Sequence, residues 1–169
     1  MPLLPHTYRL EPARAGDAAL LAAMSQAHIE SGLKPAWGAA RMRWHVRDAD
    51  SVVLIARSGA TIAGFAIMRY GDDVAHLNLL AVAPAHRRRG LARALVQWLE
   101  ETALTAGAFT IGLELRAGNA AARTFYRALG YRELGEIPGY YQGVEYAIRM
   151  MRDVRGERAN TSGSWQQTP

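Results

Sequence analysis

The sequence predicts an α/β fold, a three-layer sandwich in which a mixed central β-sheet carries helices on both faces. Two observations support this prediction. Segments with strand or helix periodicity follow one another in the order β-α-α-β-β-β-α-β-α-β-β. Among them, residues 74–83 place Leu77, Leu79 and Leu80 on both faces, which is typical of a central strand covered on both sides.

Cap and turn residues set the boundaries of these elements. Asp17 precedes the first helical pattern as an N-cap, Ser58-Gly59 is a hairpin turn signal, and Gly107 ends the longest helical pattern. The predicted strands are residues 8–13, 52–56, 62–70, 74–83, 108–116, a segment starting at 131, and 144–151. The predicted helices are residues 17–29, 37–47, 90–105 and 119–129.

Length and composition indicate one globular domain over residues 1–152, followed by a tail (153–169) that we expect to be disordered. Half of the 169 residues are apolar, yet no apolar run approaches the ~20 residues that span a bilayer. The first residues, with Pro2 and Pro5, lack the layout of a secretory signal. We therefore expect a cytoplasmic protein without membrane contact, either a monomer or a homodimer.

The chemistry open to the chain is narrowed by its cysteine and histidine content. Cysteine is absent, which excludes disulfides, thiolate metal ligands and a covalent acyl-cysteine intermediate. The five histidines show no metal-binding spacing, and no serine occupies a nucleophile elbow. We expect no bound metal.

The positive charge is concentrated in one short run. The net charge is +5, and the densest basic cluster is Arg87-Arg88-Arg89, with Arg93 one helical turn later. Such a compact cluster suits a small polyphosphate better than a nucleic-acid groove, so nucleic acid is not expected as the main partner. The alternative is a solvated arginine cluster at the start of a helix.

The position of this cluster favours a phosphate site. A strand stops at Pro84, the basic loop follows, and a helix begins at Gly90. The first turn of a helix has unpaired N–H groups and the positive end of the helix dipole, which together bind phosphate. Gly90 and Ala92 keep side chains small where a ligand would approach.

These segments resemble the GNAT superfamily of acetyltransferases. The residues that carry the resemblance are Arg87-x-x-Gly90-x-Ala92, the preceding Leu80-Ala81-Val82-x-Pro84, and the runs at 113–122, 125–131 and 139–141. Within the superfamily the sequence is most similar to the ribosomal-protein alanine N-acetyltransferases. The resemblance implies acetyl-CoA as the acyl donor.

The resemblance also implies which residues bind this cosubstrate. The strand end would pair with the pantetheine arm through its main chain, the basic loop would hold the pyrophosphate, and Asn119 would lie near the thiol. The alternative for Asn119 is a helix N-cap. The implied set is Leu80, Ala81, Val82, Arg87, Arg88, Arg89, Gly90, Leu91, Ala92, Arg93 and Asn119.

Acetyl transfer to an amine needs a proton acceptor for the amine and a proton donor for the thiolate. Strand alternation puts Glu114 on the polar face of its strand, and the resemblance places the subgroup's base there. Tyr126, seven residues after Asn119, matches the tyrosine that protonates the CoA sulfur in GNAT proteins. The alternatives are a Glu114 paired with Arg116 or a neighbouring strand, and a Tyr126 that only packs.

The expected function is direct acetyl transfer to a primary amine in a ternary complex. The resemblance suggests that Tyr140 and Tyr141 line the entrance for the acceptor, which would be a protein or peptide N-terminus or a small amine. Two other functions remain open. One is a non-catalytic acyl-CoA-binding regulatory module, and the other is a basic nucleic-acid-binding protein.

Overall fold

The computed structural model describes residues 7–155, and these contain seven strands and four α-helices in the predicted order. The strands are β1 (Arg9–Pro12), β2 (Ser51–Ser58), β3 (Thr61–Tyr70), β4 (Val74–Val82), β5 (Thr110–Arg116), β6 (Arg132–Tyr141) and β7 (Glu145–Asp153). The helices are α1 (Ala18–His28), α2 (Ala39–Arg47), α3 (Leu91–Thr105) and α4 (Ala120–Ala128). Short 3-10 turns span Ala15–Asp17 and Pro84–His86.

The strands form a mixed sheet, as predicted. They are hydrogen-bonded in the order β1-β2-β3-β4-β5-β7-β6. The β4–β5 pair is parallel, whereas the pairs β1–β2, β2–β3, β5–β7 and β6–β7 are antiparallel. The parallel pair is joined by the crossover helix α3, which the longest helical pattern of the sequence predicts.

The described residues fall into two compact units. The first comprises the chain up to Arg69 together with Leu77–Leu99, and the second comprises Tyr70–His76 and the chain from Glu100 onward.

The core of the first unit lies between the sheet and helices α1 and α2. Its largest fully buried side chains include Leu21 of α1, Met42 of α2 and Phe65 of β3. The opposite face of the sheet meets the start of α3, because a Cβ added at Gly64 would lie 3.5 Å from Leu91 Cδ2. Helices therefore cover both faces of this part of the sheet, and the predicted fold class is confirmed.

The segment between α1 and α2 is held by a buried carboxylate. Glu30 accepts hydrogen bonds from Ser25 Oγ (3.1 Å) and from the main-chain N–H groups of Ala36 (2.6 Å) and Trp37 (3.3 Å). These bonds fix the chain where the sequence breaks the first helix. Asp17 does occupy the N-cap position of α1, but its carboxylate bonds to Arg57 (2.9 Å) instead of capping the helix.

Strand β4 is central in the sheet, as predicted, but the expectation that it is covered on both sides is wrong. Its residues alternate between buried and half-exposed, with His76, Asn78, Leu80 and Val82 on the half-exposed face. Strand β3 is instead buried on both faces, since every residue from Ile62 to Met68 is buried. The polar residues of β4 occur at every second position, so strict alternation outweighs its leucine content.

The second unit contains β5, β6, β7 and α4. Strand β7 continues through Asp153, and Val154 is buried and donates its N–H to the Phe109 carbonyl (2.9 Å). The ordered chain therefore extends beyond the predicted boundary at residue 152. Residues 156–169 of the predicted tail lie outside the described residues.

Candidate functional site

The loop after β4 has a left-handed backbone conformation at two residues, and this conformation suits glycine better than arginine. Gly90 has φ 76° and Arg88 has φ 62°, so both lie in the left-handed region. A Cβ at Gly90 would meet no protein atom within 4 Å, so the backbone conformation, and not crowding by the protein, requires this glycine. The Gly90 carbonyl accepts a hydrogen bond from the Ala94 N–H (3.1 Å), which begins the α3 bonding pattern at the glycine. The next three N–H groups consequently lack an acceptor within the helix.

The arginines of this loop remain positively charged without carboxylate partners. Arg87 donates from Nε to the Val82 carbonyl (3.1 Å), and Arg89 donates to the Tyr8 hydroxyl (3.1 Å). Within residues 7–155, no carboxylate forms an ion pair with Arg87, Arg88, Arg89 or Arg93. Because all four are exposed, the loop is an uncompensated cationic site at a helix N-terminus.

Several residues predicted to bind the cosubstrate have buried side chains. Ala81 is 6% exposed and Leu91 is 1% exposed, so neither side chain offers surface to a ligand. Tyr8 accounts for part of the loop's position, because its hydroxyl is 2.7 Å from His86 Nδ1 and also bonds to Arg89. Composition gave no indication of this contact, which joins residues far apart in the sequence.

In the second unit, the carboxylate of Glu114 lies between the side chains of His76 and Arg149. Its Oε2 is 2.5 Å from His76 Nε2 and its Oε1 is 3.2 Å from Arg149 Nε. The hydrogen bond from His76 is the main reason that the pKa of Glu114 is lowered, with Arg149 adding to it and burial opposing it. Glu114 is therefore an ionised hydrogen-bond acceptor at neutral pH.

The strand face predicted for Glu114 is confirmed. Leu113 and Leu115 are buried, while Gly112, Glu114 and Arg116 alternate with them. Arg116 pairs with Glu145 (2.6 Å), so the alternative of an Arg116–Glu114 pair is wrong. Glu114 does pair with neighbouring strands, the other alternative, and the base role stays a prediction.

Helix α4 brings two further predicted residues into this unit. Asn119 is the N-cap of α4, since its side-chain oxygen accepts the Ala122 N–H (3.1 Å), and it is exposed. Tyr126 is 7% exposed and packs edge-to-face on Tyr131 at 5.5 Å. Burial, with a smaller effect of Tyr141, raises the pKa of Tyr126 above its ordinary value. A neutral phenol is thereby favoured, as a proton donor requires.

Of the two tyrosines at the end of β6, Tyr141 is the half-buried one and lies near other predicted residues. Its ring lies edge-to-face with Tyr140 at 4.9 Å, and Tyr140 is exposed. Burial raises the pKa of Tyr141, and the nearby Tyr140 and Glu114 raise it further. The second unit thus brings Glu114, Tyr126 and Tyr141 into one electrostatic neighbourhood.

Two residues of this neighbourhood were missed from the sequence. His76 lies on the half-exposed face of β4, and Arg149 faces Glu114 in the β5–β7 register. The sequence signal that indicates His76 is the alternation of β4, which places it on the same face as Asn78. Within residues 7–155 no group of three His, Asp or Glu side chains is arranged to hold a metal ion. In the same residues no helix is both long and apolar enough to cross a bilayer.

Comparison with known proteins defines the family. The sequence matches the acetyltransferase (GNAT) family over residues 19–131, well over half of the chain. The chain therefore belongs to the GNAT acetyltransferase family, and the predicted resemblance is confirmed.

The individual relatives include ribosomal-protein alanine N-acetyltransferases. The ribosomal protein bS18-alanine N-acetyltransferase of Salmonella typhimurium is 44% identical over 92 residues, which cover 53% of this chain and 62% of that protein. The chain spans less than two thirds of the length of the curated relatives it matches.

Solved structures give the same fold. The ribosomal-protein-S18-alanine N-acetyltransferase from Escherichia coli has a TM-score of 0.75 at 28% identity, covering 87% of this chain and 94% of that one. Arabidopsis thaliana NAA60, in complex with acetyl-CoA, has a TM-score of 0.77 at 17% identity, covering 89% and 100%. The second likeness concerns the fold alone.

Proposed function

We propose that this protein is an acetyl-CoA-dependent N-acetyltransferase that moves the acetyl group directly to a primary amine. The observation that carries the proposal is the cationic loop between Val82 and α3. Its residues fit a pyrophosphate, because four exposed arginines without carboxylate partners occur where helix α3 begins and its first N–H groups lack acceptors within the helix. Membership of the GNAT family supports the same ligand.

Within this proposal, the loop residues divide into two kinds. The exposed arginines Arg87, Arg88, Arg89 and Arg93 supply charge, whereas Gly90, Leu91 and Ala92 offer main-chain N–H groups. Leu80, Ala81 and Val82 would contribute main-chain groups to the pantetheine arm, and Asn119 would contact the cosubstrate in addition to capping α4. The donor supplies an activated acetyl group, and the chain supplies binding, orientation and proton transfer.

Proton transfer is assigned to the second unit. Glu114 takes part in removing the proton of the amine, and Tyr126 protonates the leaving thiolate. The family match covers the loop, Glu114 and Tyr126, which is the reason to assign them to one reaction and to one domain. Since the 169 residues contain no cysteine, we propose direct transfer and not an acyl-cysteine intermediate.

The acceptor that we favour is a protein or peptide N-terminus. The bacterial relative is named for acetylating an alanine of ribosomal protein bS18. Exposed Tyr140 and half-buried Tyr141 offer aromatic surface to such a peptide. Small amines remain the other acceptors to test, and we propose that the protein acts in the cytoplasm as a monomer or homodimer.

Calorimetric titration with acetyl-CoA tests the loop, and the structure identifies a suitable variant. Gly90 is unsuitable because any side chain there is strained at φ 76°. Ala92→Glu instead adds a carboxylate at the second position of α3. Its negative charge interacts favourably with the helix dipole but repels a phosphate. We expect it to weaken binding on the order of tenfold or more, whereas Ala92→Gln, equal in size and uncharged, should weaken binding less. Equal affinity for all three proteins would contradict the proposed site.

Release of CoA in the presence of peptide amines tests the chemistry. Tyr126→Phe should lower kcat about 100-fold or more while leaving acetyl-CoA affinity nearly unchanged. An active Phe variant would assign the proton to another group. Binding of acetyl-CoA without turnover on any amine would favour the non-catalytic regulatory module.

Nucleic-acid binding is the second candidate, and one feature of α2 favours it. Trp44 is 52% exposed and lies on the same helix face as Arg43 and Arg47, beside a surface cavity of about 330 Å³. Aromatic stacking between cations is a common arrangement for single strands. The patch is small, because nearby Arg69 is paired with Asp48 (3.2 Å). Salt-dependent binding of single-stranded RNA, lost in Trp44→Ala, would support this candidate, and its absence would exclude it.

A further inference from the structure

His76 and Glu114 form a close pair in which the histidine, and not the carboxylate, is the more exposed side chain. His76 lies opposite Gly112 in the β4–β5 ladder, two residues before Glu114 on β5. No side chain at Gly112 separates them, and His76 Nε2 is 2.5 Å from Glu114 Oε2. The side chain of His76 is 41% exposed and that of Glu114 only 10% exposed. The imidazole is therefore the accessible end of the pair.

The carboxylate fixes which imidazole nitrogen carries hydrogen. Glu114 is ionised, since its neighbours lower its pKa, and an ionised carboxylate only accepts hydrogen bonds. Nε2 of His76 must then carry a hydrogen. In the neutral imidazole this leaves Nδ1 with a free lone pair, which is the nitrogen able to take up a proton.

Both oxygens of Glu114 are already engaged. Oε2 bonds to His76, and Oε1 accepts from Arg149 Nε at 3.2 Å. A half-buried carboxylate whose pKa is lowered by hydrogen bonds from His76 and Arg149 is a weak base toward an ammonium group. The Nδ1 lone pair of the more exposed imidazole is, by contrast, available to accept a proton.

We propose that His76 accepts the proton of the acceptor amine at Nδ1 and that Glu114 acts through it as a positioning residue. This proposal rests on the proposed N-acetyltransferase function. The arrangement corresponds to a carboxylate that orients a histidine and stabilises the imidazolium.

The reaction balances with the groups named. The ammonium of the acceptor gives one proton to His76 Nδ1, and its nitrogen then forms a bond to the acetyl carbon while the carbon–sulfur bond breaks. The thiolate takes a proton from Tyr126, and Tyr126 regains one from the amide nitrogen. His76 later releases its proton to solvent, so the net change is one proton per acetyl group transferred.

The charged and titratable groups around this pair come from three strands. They are Glu114 on β5, Arg149 on β7, which bonds to the same carboxylate, and Tyr141 on β6, which lies near Glu114. These groups remain in the His76 variant, so they contribute to the pH profiles of both proteins.

The test compares the wild type with His76→Gln, which retains a hydrogen-bond donor but cannot titrate. We expect kcat/KM to fall about 100-fold near pH 8, within the usual range for loss of a proton-transfer group. The ratio of wild-type to variant kcat/KM should change with pH, because the imidazole can exchange a proton and the glutamine amide cannot. Titration of the acceptor amine cancels in this ratio. His28→Gln, on α1 of the first unit, is the matched histidine control and should keep full activity.

A second measurement does not depend on activity. Nitrogen-15 NMR of the His76 ring should report the Nε2–H tautomer in the wild type and a mixture in Glu114→Ala. An unchanged tautomer in Glu114→Ala would overturn the positioning role of Glu114, and a pH-independent ratio of kcat/KM would overturn proton transfer by His76. An active wild type with equally active His76→Gln would refute only the role of His76. A wild type that is inactive on every amine would instead refute the proposed function on which it rests.

Discussion

Arg88 is exposed and occupies the left-handed backbone region at φ 62°, which a non-glycine residue adopts at a cost. Replacing it with glycine should therefore change stability and ligand affinity in opposite directions. The left-handed conformation costs an L-residue about 1–2 kcal/mol. Glycine offsets part of this by losing about 0.4–1 kcal/mol more chain entropy on folding. We expect Arg88→Gly to gain about 0.5–1 kcal/mol of stability, or about 1–4 °C in thermal midpoint for a chain of this length.

The same change removes one of the four uncompensated arginines of the loop. Loss of one charge-assisted contact at an exposed site should weaken acetyl-CoA binding about tenfold. Thermal denaturation and calorimetric titration measure the two effects on the same samples. Arg88→Asn separates them, because asparagine tolerates the left-handed region without carrying charge. Arg88→Lys retains the charge and the strain.

Two outcomes would refute this reasoning. A thermal midpoint that falls in Arg88→Gly would show that the arginine is not strained. Unchanged affinity in both the Gly and Asn variants would show that the Arg88 charge does not bind the ligand.

Two further predictions concern stability. Gly64→Ala should lower the free energy of unfolding by about 1–3 kcal/mol, because its Cβ would lie 2.9 Å from the Ala81 carbonyl oxygen. In the control variant Gly16→Ala, the Cβ meets no atom within 4 Å. Urea unfolding of both variants checks this. Burial, followed by repulsion from Arg41, lowers the pKa of His45 below 6.5. The unfolded chain then binds the proton more readily, so stability should fall as the pH drops from about 6.5 toward the lower native pKa. His45→Gln should show a smaller fall between pH 7.5 and pH 5, and an equal fall in both proteins would contradict this.

The buried Glu30 shows why one part of the chain was hard to predict. The break between α1 and α2 followed from Gly32 and Pro35, which disfavour a continuous helix. The carboxylate that organises this break lies before it and bonds to residues 36 and 37 after it. Side-chain bonds of this kind have no periodic signature, so they are found only when the chain is folded.

The sequence by itself determined the order of elements, the GNAT family and the cationic helix start, because periodicity and short motifs encode local structure. Alternation also placed Glu114 on the polar face of β5. The tertiary structure alone decided the partners of that carboxylate, since His76 and Arg149 reach it through the register of β4, β5 and β7. Register is a long-range property, set when strands pair, and so the ionised state of Glu114 and the role proposed for His76 follow only from the fold.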